Sequence, residues 1–163
     1  MTVSKYAGGL RHAGEYLTIV TICNLIWETS HLPLYTLWKE GSLHEIVFAV
    51  IHCTIGDLLI ALATLTAAIF VTNSRGWPAR GFWPVALITT IFGLAYTAFS
   101  EWLNVSIKSS WQYSEMMPVF QAFGFEFGAS PLLQWIIIPA FAFFCVSRWR
   151  QKSARRIDCY SLH

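Results

Sequence analysis

Long apolar runs separated by short polar segments dominate the chain. Four of these runs lie at about 14–38, 44–72, 82–107 and 130–149. Each reaches the roughly 20 residues that a helix needs to cross the hydrocarbon core of a bilayer. A membrane β-barrel would need many short alternating strands instead. The pattern therefore predicts an all-α, polytopic membrane protein, in which residues 1–163 form a single domain built as a four-transmembrane-helix bundle.

The distribution of Lys and Arg predicts the orientation of these spans. Nine of the 11 lie in the N-terminal segment, the second connection and the C-terminal tail. Only Lys39 and Lys108 lie in the first and third connections. Because cytoplasmic segments carry the excess of positive charge, both termini are predicted to be cytoplasmic, with a basic tail at 150–163. The predicted location is the inner membrane of a bacterium.

The composition agrees with a membrane protein and argues against other classes. Hydrophobic residues make up 55% of the chain and charged residues only 12%, whereas soluble domains carry about 25% charged residues. The net charge of +2, with no basic and aromatic strip, excludes nucleic acid as a partner. The predicted partners are membrane lipids and, as a hypothesis, a hydrophobic small molecule.

Polar residues inside the predicted spans lie at one level, toward the outer leaflet. They occur at Asn24, Glu28, His31, His52, Asp57, Glu101, Asn104 and Gln134. Those of the first span follow the i, i+4, i+7 spacing of one helical face. A charge at the bilayer centre costs about 2.5–3.5 kcal/mol, so these side chains are expected to face one another. The sequence therefore predicts a polar pocket in the outer leaflet.

Acid–base chemistry on a lipid-soluble, isoprenoid-like or lipid-like molecule is the favoured function for this pocket, since carboxylates and imidazoles are the common proton-transfer groups. Binding of such a molecule without chemistry would need the same pocket. The candidate catalytic residues are Glu28, His31, His52, Asp57 and Glu101, and the candidate ligand- or cofactor-binding residues are Tyr96, Trp102, Asn104 and Gln134.

A metal site is the main alternative function. Glu28 and His31 form an E-x-x-H pair, which presents both ligands on one helical face and is half of the pattern of di-iron proteins. With His52 they would suit zinc or non-haem iron. Two further hypotheses stay open: translocation of a proton, ion or solute through the spans, and a structural or accessory subunit whose polar residues bind neighbouring helices.

The third connection, between 107 and 130, is long and rich in aromatic residues. Loops of this length often act as lids over a site. The sequence is equally compatible with a lid over the polar pocket and with a segment lying at the membrane interface.

Three short segments are similar to parts of a known family: "WETSHLPLYTLWKEG", "FSEWLN" and "PLLQWIIIP". They resemble the EXPERA bundle of emopamil-binding sterol isomerases, which set acids and aromatics in a membrane cavity formed by several helices. The resemblance covers these pieces only, and the spacing between them differs from that of the family. It implies acid–base chemistry, and no catalytic residue is carried over.

Overall fold

The computed structural model describes the backbone of residues 3–160 and the side chains of residues 8–151. The predicted basic tail therefore lies outside the described side chains from residue 152 onward. The chain is mostly helical. Its elements are α1 (Val3–His31), a 3-10 turn (Leu32–Leu34), α2 (Leu37–Glu40), α3 (Leu43–Val71), α4 (Phe82–Glu101), a π-helical turn (Trp102–Ile107), β1 (Val119–Ala122), β2 (Phe125–Gly128) and α5 (Ala129–Tyr160).

Three helical segments of the described chain are long and apolar enough to cross a membrane. They are Leu43–Val71, Phe82–Ile107 and Ala129–Gln151, which correspond to the second, third and fourth predicted spans. They support a membrane protein in general. Helix α1 has 29 residues but is not among the three, because polar residues such as Asn24 and Glu28 lower its mean hydropathy.

The first helix ends earlier than predicted. The sequence predicts a span to residue 38, whereas α1 ends at His31. Pro33 explains the difference, since proline has no N–H to donate within a helix and clashes with the preceding turn. After the short helix α2, Ser42 caps α3 by accepting a hydrogen bond from the Glu45 N–H at 3.3 Å. The Glu45 carboxylate in turn accepts from the Ser42 N–H at 2.8 Å, which completes a capping box.

The third connection contains an antiparallel hairpin, so the prediction of an all-α fold is wrong at this point. Strands β1 and β2 pair from Val119 with Gly128 to Ala122 with Phe125. The turn residues Phe123 and Gly124 have positive φ angles of 54° and 80°, as a tight hairpin turn requires.

The long helices pack side by side: α1 contacts α3 and α5, and α4 also contacts α3 and α5. Helices α1 and α4 therefore lie diagonally opposite each other. Their buried faces change character along their length. An apolar cluster fills one half, which we call the core half; it includes Tyr16, Val20, Ala61, Leu65, Val85, Ala142, Phe143 and Val146. Among the described residues, the buried carboxylate, imidazole and amide side chains lie in the other half, which we call the cavity half.

Candidate functional site

A cavity of about 360 Å³ occupies the cavity half and is open on one side. Its volume lies at the lower end of the roughly 300–1,000 Å³ typical of small-molecule sites. Residues from all four long helices line it, together with the connection after α1 and the third connection. Its polar lining residues are Glu28, His31, His52, Asp57, Thr97, Ser100, Glu101, Asn104 and Gln134, and its aromatic ones are Tyr35, Tyr96, Trp111 and Trp135.

One buried stripe of α1 supplies the first wall through Glu28 and His31. Asn24, Glu28 and His31 are 1%, 8% and 9% exposed, as their helical spacing predicts. The same stripe continues toward the core half as Val20 and Tyr16, both fully buried. A single helical face therefore changes from apolar to polar where it enters the cavity half.

The side-chain amide of Gln134 on α5 joins α1 and α3. Its Nε2 lies 3.0 Å from Asn24 Oδ1, 2.9 Å from Glu28 Oε1 and 2.9 Å from Asp57 Oδ2. An amide nitrogen carries only two hydrogens, so three acceptors compete for it. The structure thus brings the predicted residues Glu28, Asp57 and Gln134 together, with both carboxylates within hydrogen-bonding reach of one nitrogen.

His31 is held by hydrogen bonds on both ring nitrogens. Its Nε2 lies 3.1 Å from Glu28 Oε2, and its Nδ1 lies 3.0 Å from Ser130 Oγ. Ser130 Oγ also accepts a hydrogen bond from Trp27 Nε1 at 3.2 Å. Both ring nitrogens of His31 are thus engaged, one by the Glu28 carboxylate and the other by the Ser130 hydroxyl.

Glu101 forms the opposite wall, at the end of α4, and is 5% exposed. It accepts a hydrogen bond from the Tyr113 hydroxyl, which itself accepts one from the Gly128 N–H at 2.9 Å. Burial raises the pKa of Tyr113 above its ordinary value, and the bond to Glu101 raises it further. Tyr113 is therefore a neutral donor to the carboxylate.

The segment that follows the π-helical turn, residues 108–114, covers one end of the cavity, where Trp111 lines it. We call this segment the roof. Tyr113 pairs with Tyr35 in an isolated β-bridge, and the two rings lie 5.7 Å apart. The Ser114 N–H donates to the Leu34 carbonyl at 2.9 Å. The Ser114 hydroxyl donates to the Pro33 carbonyl, also at 2.9 Å. The turn that Pro33 introduces thus provides the backbone acceptors that hold the roof.

His52 and Tyr96 mark the opening of the cavity. Both line it, yet both side chains are exposed. They lie on α3 and α4, so the cavity opens between these two helices. The His52 ring stacks on Phe48 with centroids 5.5 Å apart, and is thus turned to the outer surface.

Eight of the nine predicted site residues line the cavity, and Trp102 does not. Trp102 instead packs against Phe99 and against Phe125 of the hairpin, with centroid distances of 5.8 and 5.9 Å. Sequence reasoning also missed Ser130 and Tyr113 as site residues. A serine at the start of an apolar run and a tyrosine in a long loop carry no local signal of their partners.

The three predicted metal ligands do not form a ligand set. Within the described residues, no group of three or more His, Cys, Asp or Glu side chains is placed to hold a metal ion. Glu28 and His31 bond to each other, while His52 lies at the opening. The predicted metal site at Glu28, His31 and His52 is therefore not assembled in this arrangement.

Comparisons with protein-family models, with curated proteins and with solved structures find no match.

Proposed function

We propose that the protein binds a lipid-soluble small molecule in this cavity and performs acid–base chemistry on it. The observation that carries the proposal is the placement of carboxylates on the diagonal helices α1 and α4 around one cavity. That cavity opens between α3 and α4, whose outer surfaces are apolar at Ile55, Leu59 and Ile91. A hydrophobic molecule could therefore enter from the bilayer and meet ionisable groups on opposite walls.

The Glu28 and Asp57 pair is suited to act as the acid. Their carboxylates lie within hydrogen-bonding reach of the same amide nitrogen. In the proposed reaction the pair holds one proton between its members, as the paired carboxylates of aspartic proteases do. His31 Nε2 is hydrogen-bonded to the other oxygen of Glu28 and fixes its orientation, and Ser130 fixes His31 in turn.

Glu101 is suited to act as the base, because it lines the cavity opposite α1 and the Tyr113 hydroxyl donates to its carboxylate, which fixes its orientation. In the proposed reaction, the acid adds a proton to one carbon of a double bond, which leaves a cation at the other carbon. Glu101 then removes a proton from an adjacent carbon, and the double bond forms at a new position. The composition of the molecule is unchanged. Aromatic faces such as those of Tyr35 and Trp135 would stabilise the cation.

We further propose that α1 is a fourth span and that both termini face the cytoplasm of a bacterial inner membrane. Ile22, Leu25 and Ile26 of α1 are exposed, whereas its polar residues Asn24 and Glu28 are buried. The exposed surface of α1 at these residues is thus apolar, although the mean hydropathy of the whole helix is low. Fusions of green fluorescent protein after residue 163 and of alkaline phosphatase after residue 115 should both be active. The reverse pattern would contradict this topology.

Ligand binding is tested first, by mass spectrometry of organic extracts from the purified protein. Gly56 lines the cavity, and a Cβ there would meet no atom of the described residues within 4 Å, so Gly56→Leu should fill the cavity without disturbing the helices. Gly14 on α1 is equally uncrowded but lies away from the cavity. We expect a bound apolar molecule in the wild type and in Gly14→Leu, and none in Gly56→Leu. Equal content in all three would overturn the proposed site.

Chemistry is tested separately, by incubating the protein and its ligand in deuterated water. Proton addition and removal at carbon should introduce deuterium into the ligand, and Glu101→Gln should abolish the uptake while leaving binding intact. A ligand that binds but takes up no deuterium in the wild type would refute the acid–base step and leave a binding protein.

A further inference from the structure

The hairpin of β1 and β2 exposes a group of large apolar side chains. The Phe123 side chain at its tip is 97% exposed. Phe120 and Phe125 on its strands are also exposed. Contiguous apolar surface of this kind marks a contact with a partner or a membrane.

The tip is also conformationally costly. Phe123 has φ 54°, a left-handed conformation that is uncommon for residues other than glycine and is unfavourable for bulky side chains. The ring makes almost no contact within the described chain, so packing there does not offset this cost. An aromatic residue at this position therefore points to a contact outside the chain.

The apolar surface of the hairpin is continuous with that of a candidate membrane span. Phe99 on α4 is 52% exposed, and its ring lies 5.8 Å from that of Trp102. Trp102 in turn lies 5.9 Å from Phe125 of β2. A row of aromatic rings thus runs from the outer surface of α4 to the hairpin, and α5 begins directly after β2.

The two faces of the hairpin differ in polarity. Phe120 and Phe127 are paired across the strands and stack at 5.9 Å on one face. Gln121 and Glu126 are paired on the other face, and both are exposed. Residues 109–128 include no Lys or Arg, so nothing in this segment would attract an anionic headgroup.

We propose that the hairpin is an interfacial membrane anchor, whose tip at Phe123 inserts into the headgroup boundary of the leaflet on the cavity side. Aromatic rings favour this layer, and apolar contact without basic residues suits a neutral, zwitterionic lipid surface. The Gln121 and Glu126 face stays in water. Because Gly128 donates to Tyr113, the anchor would also tie the roof of the cavity to the membrane next to its opening. This inference does not depend on the proposed chemistry.

The test uses the full chain in phosphatidylcholine vesicles, with nitroxide labels on single cysteines. The native residues Cys23, Cys53, Cys145 and Cys159 are first replaced by alanine. Labels are then placed by Phe123→Cys at the tip, and by Glu126→Cys and Gln121→Cys as matched controls on the polar face. Collisions with oxygen report lipid, and collisions with a nickel chelate report water. Thermal unfolding checks that each labelled protein is folded.

We expect a several-fold higher ratio of oxygen to nickel collisions at position 123 than at 121 and 126, unchanged when anionic lipid is added. A water-like ratio at position 123 would overturn the anchor. Exclusion of both reagents at position 123, with spin–spin broadening, would also overturn it, because it would place the tip against a second copy of the chain. A ratio that rises only with anionic lipid would contradict the neutral surface.

Discussion

The same four long helices build two halves that are held together in different ways. In the core half, side chains such as Val20, Leu65 and Phe143 pack with little or no exposed surface. In the cavity half, hydrogen bonds through Gln134 and Ser130 connect α1 to α3 and α5. In a bilayer, association of helices gains little from the hydrophobic effect, so close packing and interhelical hydrogen bonds both matter. The core half relies on close packing, and the cavity half relies on interhelical hydrogen bonds.

Removing Gln134 should have the largest effect. The variant Gln134→Leu keeps a similar volume but leaves Asn24, Glu28 and Asp57 without a shared donor. Each buried group left without a partner costs about 1–3 kcal/mol, and more if it is charged. Thermal unfolding in one detergent should show a large loss of stability. The matched control Ile138→Val, one turn further along α5 in the core half, should lose only about 0.5–1.5 kcal/mol. An equal loss in both variants would contradict the contrast between the halves.

The contact between Gly93 and Trp135 joins the two halves, and crowding it should have the next largest effect. A Cβ at position 93 would lie 2.1 Å from Trp135 Cε3. Gly93→Ala must therefore move the indole, which lines the cavity, at a cost of about 1–3 kcal/mol. Gly56→Ala is the control, since a Cβ there meets no described atom within 4 Å. That variant should gain up to about 1 kcal/mol from helix propensity. Similar melting temperatures for both variants would show that the contact is not tight.

The sequence predicted the parts of this molecule that follow from helical periodicity. Burial of Asn24, Glu28 and His31 on one face of α1 follows from their spacing. Placing Trp102 in the pocket was wrong because it follows Glu101 directly, and adjacent helical residues point about 100° apart. Ser130 lies 99 residues along the chain from its partner His31, and Tyr113 lies 12 residues from its partner Glu101. The β-bridge between Tyr113 and Tyr35 holds Tyr113 beside Glu101. No local sequence pattern encodes this pairing of distant segments.

Removing the Tyr113 hydroxyl should have an intermediate effect. Tyr113→Phe deletes the donor to Glu101 and the acceptor of the Gly128 N–H at once. Leaving these groups without partners should cost about 1–3 kcal/mol for a buried group. The melting temperature in detergent should fall. No change would indicate that water replaces the hydroxyl and that the roof does not depend on it.

Removing the Tyr16 hydroxyl in the core half should have the smallest effect and should contrast most clearly with Tyr113→Phe. The Tyr16 hydroxyl is buried and has no hydrogen-bond partner among the described residues, while its ring stacks on Phe143 at 4.4 Å. Tyr16→Phe keeps the stacking and removes a polar atom that costs free energy when buried alone. It should therefore leave stability unchanged or raise it by about 1 kcal/mol, whereas Tyr113→Phe lowers it. Measured side by side in one detergent, the two variants should shift the melting temperature in opposite directions.

If Tyr16→Phe were as destabilising as Tyr113→Phe, the Tyr16 hydroxyl would have a bonded partner such as a buried water. The core half would then depend on polar contacts as well.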